Sequence, residues 1–197
     1  METETNLIKE TIRIADTTAN PAPLGLLAFG MTTILLNLHN AGFFAMGSAI
    51  FAMGIFFGGI AQIIAGIMEW KKNNTFGSTA FVSYGFFWIS LVGLILMPVF
   101  GWSGPIQMQA LVSFLTLWGL FSFVMLIITL RLSRALQVVF GSLTLLFLLL
   151  IVGNAVGNDT ILEIAGIVGI ICGLSAMYTG LGQVMNEVYK EQVIRLG

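Results

Sequence analysis

Residues 135–152 read ALQVVFGSLTLLFLLLIV, eighteen consecutive positions without a charged side chain. At ~1.5 Å rise per residue such a run makes a helix of roughly 27 Å, close to the ~30 Å hydrocarbon core of a bilayer. It is bounded by Arg131 and Arg134 on one side and by the polar stretch 153–160 on the other. That is how a helix leaving lipid is punctuated. The segment is read as a membrane span, and the rest of the chain follows from it.

Working outward, five further apolar runs lie between polar breaks, at 23–38, 43–68, 78–97, 107–130 and 161–184. The fold class expected is therefore an all-α integral membrane protein with six transmembrane helices. Composition agrees: 57% of the chain is hydrophobic and 9% charged, against roughly 25% charged in an average soluble domain. The expected organisation is an N-terminal arm over 1–19, a six-helix domain over 20–186 and a C-terminal tail over 187–197. The arm holds Glu2, Glu4, Glu10 and Asp16 and has no apolar core, so it is not a cleavable signal peptide. Leu7, Ile8, Ile12 and Ala15 share one face of a short interfacial helix, or the arm is disordered. The first span is short: about 16 residues reach roughly 24 Å, which places its start below the membrane surface, beside protein or a wet cavity.

Orientation follows from the cations. Lys9 and Arg13 precede span one, Lys71 and Lys72 join spans two and three, Arg131 and Arg134 join four and five, and Lys190 and Arg195 follow span six. All eight fall on one face of a six-span bundle, and an error of one span scatters them. Short loops rich in Lys and Arg stay in the cytoplasm, so both termini are expected there. The localisation expected is the cell membrane, plasma or inner, as a multi-pass protein.

A net charge of −1 with no basic stripe excludes a nucleic-acid partner. The lone Cys172 forms no intramolecular disulfide and anchors no metal site. No Asp, Glu, Lys, Arg or His stands near the middle of a span; Glu69, Arg131, Glu163 and His39 are near ends. Ion-coupled carriers usually hold such a group as a relay, so a pore without fixed charge is the better reading. Enzyme chemistry needs titratable groups gathered in one pocket, and none is expected; no cofactor or metal is called for. His39, beside Asn37 and Asn40, reads as a hydrogen-bonding loop residue.

The polar groups left at depth are neutral: Gln62, Tyr84, Asn154, Tyr178 and several Ser and Thr, the last discounted because they usually bond their own helix. Gln62 either ties two helices together or lines the conduit, since a bare amide in hydrocarbon costs several kcal/mol. Gly47, Gly54, Gly58, Gly59 and Gly66 of span two, and Gly166, Gly173 and Gly180 at seven-residue spacing in span six, let helix backbones approach or keep a narrow conduit open.

The run NPAPLGL at 20–26 resembles the signature of the acetate uptake transporter family, which includes the succinate-acetate permeases. FGMTTILLNLHN at 29–40, GGIAQIIAG at 58–66, NTFGSTAF at 74–81 and Ser83-Tyr84-Gly85 are similar to that family too. The likeness covers all six spans. It implies an acetate channel or permease in a membrane of lipid, with six transmembrane helices around a pore in each protomer, assembled as a homo-oligomer of six protomers in a ring, with a hydrophobic constriction at Phe29, Tyr84 and Leu143. Ala176 resembles the small family residue whose bulk tunes substrate size. Counted from the helix ends, Phe29, Tyr84, Leu143, Gln62 and Ala176 fall at similar depths. The break at Asn20-Pro21-Ala22-Pro23 either opens a vestibule whose first helical turn faces a carboxylate, with Asn20 and Gln62 as added donors, or is a structural break alone. Asn154 and Tyr178 are further pore-lining candidates. A proton-coupled acetate or succinate symporter on the same scaffold, and a non-transporting scaffold or sensor, remain alternatives.

Overall fold

The computed structural model describes residues 18–197; the interfacial helix expected around Leu7, Ile8, Ile12 and Ala15 lies outside them. Six helices long and apolar enough to cross a membrane account for most of it: α1 (Ala22–Asn40), α2 (Ser48–Lys71), α3 (Thr75–Val99), α4 (Met108–Thr129), α5 (Arg134–Val156) and α6 (Asp159–Tyr189). Among the described residues there is no strand. Each helix overlaps one run read from the sequence. The first differs in length: its 19 residues reach about 28 Å at 1.5 Å each, because the helix continues through His39 and Asn40.

Local chemistry fixes the boundaries. Pro23 occupies the first turn of α1, where its missing N–H costs nothing. Asn74, Ser133 and Asn158 cap α3, α5 and α6 by accepting from the amides of Gly77, Leu136 and Ile161. Each cap satisfies a backbone donor that the helix cannot. Gly157, with φ of 63°, ends α5 in the left-handed conformation that glycine adopts without strain.

α2 is not uniformly wound. Ser48–Ala52 and Gln62–Lys71 are α-helical, but Met53–Ala61 between them is a π-helix, with the wider turns of i→i+5 bonding.

The helices form a closed ring in chain order. α1 lies against α2 and α6, α2 against α3, α4 against α5, and α5 against α6. The remaining seam, between α3 and α4, is aromatic: Tyr84 meets Trp118 and Phe121, and Phe87 meets Phe114 and Trp118, at centroid distances of 5.1–6.1 Å. Small residues set the closest approaches. A Cβ on Gly173 would stand 2.5 Å from the Gly30 carbonyl oxygen, and one on Gly30 would stand 2.7 Å from that of Gly173. Gly166 and Gly180 face α1 or the residue just after it, whereas Gly54, Gly59 and Gly66 face α3 and Gly58 faces Thr32 of α1. These glycines line helix contacts, so the alternative that they hold a conduit open is set aside for them. Gly47, at the head of α2, meets no other helix.

Outward-facing positions are apolar and bare, among them Phe56, Leu117, Leu148 and Val188, as lipid permits and water does not. The one buried carboxylate among the described residues is Glu69, at the basic end of α2. Its Oε2 accepts from Asn74 Nδ2 at 2.7 Å while Oε1 has no partner.

Candidate functional site

Two chambers occupy the interior of the ring. The larger, about 450 Å³, lies toward the end away from the Lys and Arg residues and is lined by Asn37, Asn40, Asn154, Pro98, Pro105 and aromatic and Leu side chains. The smaller, about 70 Å³, lies toward the basic end and is lined by Gln62, Asn74, Gly77, Leu136 and Gln183 among others. Three residues line both: Phe29, Tyr84 and Leu143. They come from α1, α3 and α5 and are 6%, 2% and 3% exposed. The three residues that the family resemblance singled out thus form the partition between the chambers.

The partition is apolar and braced. Phe29 and Tyr84 rings sit 5.8 Å apart and tilted, and Tyr84 meets Phe140 at 6.1 Å. The Tyr84 hydroxyl lies 2.8 Å from Ser122 Oγ. Ser122 donates its one proton to the Trp118 carbonyl at 2.8 Å, so Tyr84 is the donor in the first bond. Sequence reasoning missed Ser122, since a membrane Ser usually bonds only its own helix. This one does so and accepts from Tyr84 as well.

Gln62 reaches the smaller chamber; it is 1% exposed, and its Oε1 has no hydrogen-bond partner. It does not tie two helices together through that oxygen. Asn154 lines the larger chamber, with its Nδ2 donating to Leu150 O at 2.7 Å. Asn37, which the sequence marks only as a neighbour of His39, is buried there, donating to Thr33 O at 2.9 Å and accepting from Asn40 at 3.1 Å. Asn20 lines neither chamber but stands at the basic mouth, donating to Gln183 Oε1 at 3.1 Å and Glu187 Oε1 at 2.8 Å and accepting from Ala22 N. Ala176 is fully buried in the core and lines neither chamber. Tyr178 is half exposed, faces neither chamber, and donates to the Arg195 carbonyl at 3.0 Å.

Apart from the Tyr84 phenol, no ionisable side chain lines either chamber among the described residues. Among those residues no group of His, Cys, Asp and Glu is arranged to hold a metal. The interior offers amide dipoles on both sides of an apolar waist.

A ring of lipid-facing helices around an uncharged interior, narrowed at an apolar waist, is the build of a multi-pass membrane channel or permease. The sequence profile of the GPR1/FUN34/yaaH family matches residues 7–194, and the chain belongs to that family. It is similar to the succinate-acetate/proton symporter SatP of Escherichia coli, 56% identical over 179 residues that cover 91% of this chain and 95% of that protein. Acetate permease A of Emericella nidulans is 33% identical over 192 residues, covering 86% of this chain and 62% of that one. The solved structure of the bacterial acetate channel SatP matches with a TM-score of 0.90 at 56% identity, over 91% of this chain and 99% of that chain.

Proposed function

We propose that this protein is a transmembrane channel for acetate and related small carboxylates, with Phe29, Tyr84 and Leu143 as its selectivity gate. The observation that carries the reading is that, among the described residues, these three side chains alone are common to the two chambers. A carboxylic acid with a pKa near those of Asp and Glu is almost wholly ionised at neutral pH. The anion is therefore the abundant species at either mouth. Gln183 meets it at the basic mouth, with its Oε1 held by Asn20 and its amide nitrogen left to donate, Gln62 and Asn74 offer amides inside, and the waist requires it to leave most of its water behind. A two-carbon acid carries little else to desolvate; size and hydration exclude larger or more polar anions. Asn37, Asn40 and Asn154 receive it on the far side. Ala176 acts from behind the wall by allowing α6 to lie close to its neighbours.

The basic end is the cytoplasmic one, so the 1–19 arm and the 187–197 tail belong to the cytoplasm and 20–186 to the channel. Six protomers form a ring, and each conducts through its own interior. We read the protein as a transporter and not an enzyme, a reading supported by the transport names of its relatives.

Proton-coupled symport is the second reading, favoured by the name borne by the Escherichia coli relative and by the unpartnered Glu69 oxygen at the basic end. Labelled acetate, lactate and succinate flux into liposomes of purified protein, with simultaneous voltage recording, tests both. Acetate flux that carries current supports the channel. Electroneutral uptake driven by a pH gradient supports symport, and absence of flux ends both.

A further inference from the structure

The residues after α6 are bonded to two helices at once. α6 ends at Tyr189, and Lys190, with a φ of 55°, turns the chain back. The Asn186 side chain then clasps Ile194 by both backbone groups, accepting from its N–H and donating to its carbonyl, each at 2.8 Å. Tyr178 donates to the Arg195 carbonyl at 3.0 Å. The Leu196 carbonyl accepts from Ala135 N at 2.9 Å, an amide in the first turn of α5 that has no partner within its own helix. Ile194 and Leu196 are half-buried over Gly182, where a Cβ would stand 2.9 and 3.0 Å from their side chains. Arg195 between them is exposed, the alternation of an extended segment laid on a surface.

This segment joins the C-terminal half of α6 to the start of α5, and α5 is the helix that carries Leu143. The residue after Ala135 is Leu136, which already lines the smaller chamber, and Leu143 lies about two helical turns further on. We infer that the tail is a strap that seats α5 against α6 and so sets the width of the waist, with Asn186 and Tyr178 as its positioning residues. The inference rests on the reading of the waist as a selectivity gate. It also gives a role to Tyr178, which faces neither chamber, since its hydroxyl anchors the strap about three helical turns back from the helix end.

The test measures labelled lactate and acetate flux in liposomes for the full chain, Asn186→Ala, Tyr178→Phe and Leu143→Ala. Releasing the strap should raise the lactate-to-acetate ratio by about two- to tenfold, the span that one or two hydrogen bonds are worth. Asn186→Ala combined with Leu143→Ala should add little to Leu143→Ala alone, because both act on one aperture. A merely structural role lowers both fluxes together and leaves the ratio unmoved, and that result in either single variant overturns the inference. Where Asn186→Ala fails to assemble, Tyr178→Phe, which removes one hydroxyl, decides on the same criterion. If the unaltered chain carries no acetate, the channel reading fails and takes the strap with it. If the unaltered chain conducts and the ratio stays fixed, the strap alone fails.

Discussion

Replacing Ser122 by Ala should harm this protein more than replacing Tyr84 by Phe, although both changes delete the same hydrogen bond. Tyr84 is 2% exposed and its hydroxyl donates to Ser122 Oγ at 2.8 Å. In Tyr84→Phe the donor goes, and Ser122 keeps its bond to the Trp118 carbonyl. The loss is that of an interhelical bond in a membrane, about 0.6 kcal/mol on average and ~1.7 at most. In Ser122→Ala the phenol stays buried with nothing to accept its proton, at a cost of about 1–3 kcal/mol. The double variant has no stranded group and should resemble Tyr84→Phe alone, giving a coupling of about 1 kcal/mol or more across the cycle. Reversible unfolding in mixed micelles measures all four proteins. Flux provides a second readout, since a phenol without its tether leaves the waist less constrained and Ser122→Ala should pass more lactate relative to acetate. If Tyr84→Phe proves the costlier change, or if the two add, the hydroxyl is not held as described and the bracing of the gate is wrong.

Other substitutions report on neighbouring parts. Leu143→Ala removes the smallest member of the partition and should admit lactate and larger acids in the same liposome assay, with acetate flux retained or increased. Gln62→Leu removes the amide that faces the smaller chamber, so acetate flux should fall while assembly is kept, a pairing read by size exclusion beside flux. Gly173→Val drives a side chain into the Gly30 carbonyl and should cost at least about 1–3 kcal/mol, visible as loss of assembled protein on size exclusion. Asn20→Ala frees Gln183 and Glu187 at the basic mouth; half-saturation for acetate should rise without a change in the lactate-to-acetate ratio.

The six spans were legible because lipid imposes one length and one polarity on each, and the cations marked their ends. The seven-residue glycine spacing of α6 likewise survived, since close helix approach needs small residues on one face. Phe29, Tyr84 and Leu143 are different. Their apolar character is common to most of the chain, so no pattern marks them as the partition; the motif resemblance singled them out, and the chambers give that a spatial meaning. Ser122 was hidden because its local bond and its bond to another helix look alike in sequence. Tyr178 was misleading in the opposite sense: its mid-helix position suggested the interior, but depth along a helix carries no information about azimuth. The partner that gives Tyr178 its meaning lies 17 residues away in the folded-back tail, a long-range contact that no local period encodes.

The π-wound stretch Met53–Ala61 gives the second helix slack. A wider winding stores more residues in the same axial height than an α-helix does. Shortening the chain by one residue there lets the turn tighten while both flanks keep their facing, with Gln62 still turned inward. The same deletion between Gln62 and Lys71 has no such reserve, and each missing residue rotates the helix before it by about 100° relative to the helix after it. Indel scanning should therefore find one forgiving window in α2. A length polymorphism among relatives in this helix belongs in that window.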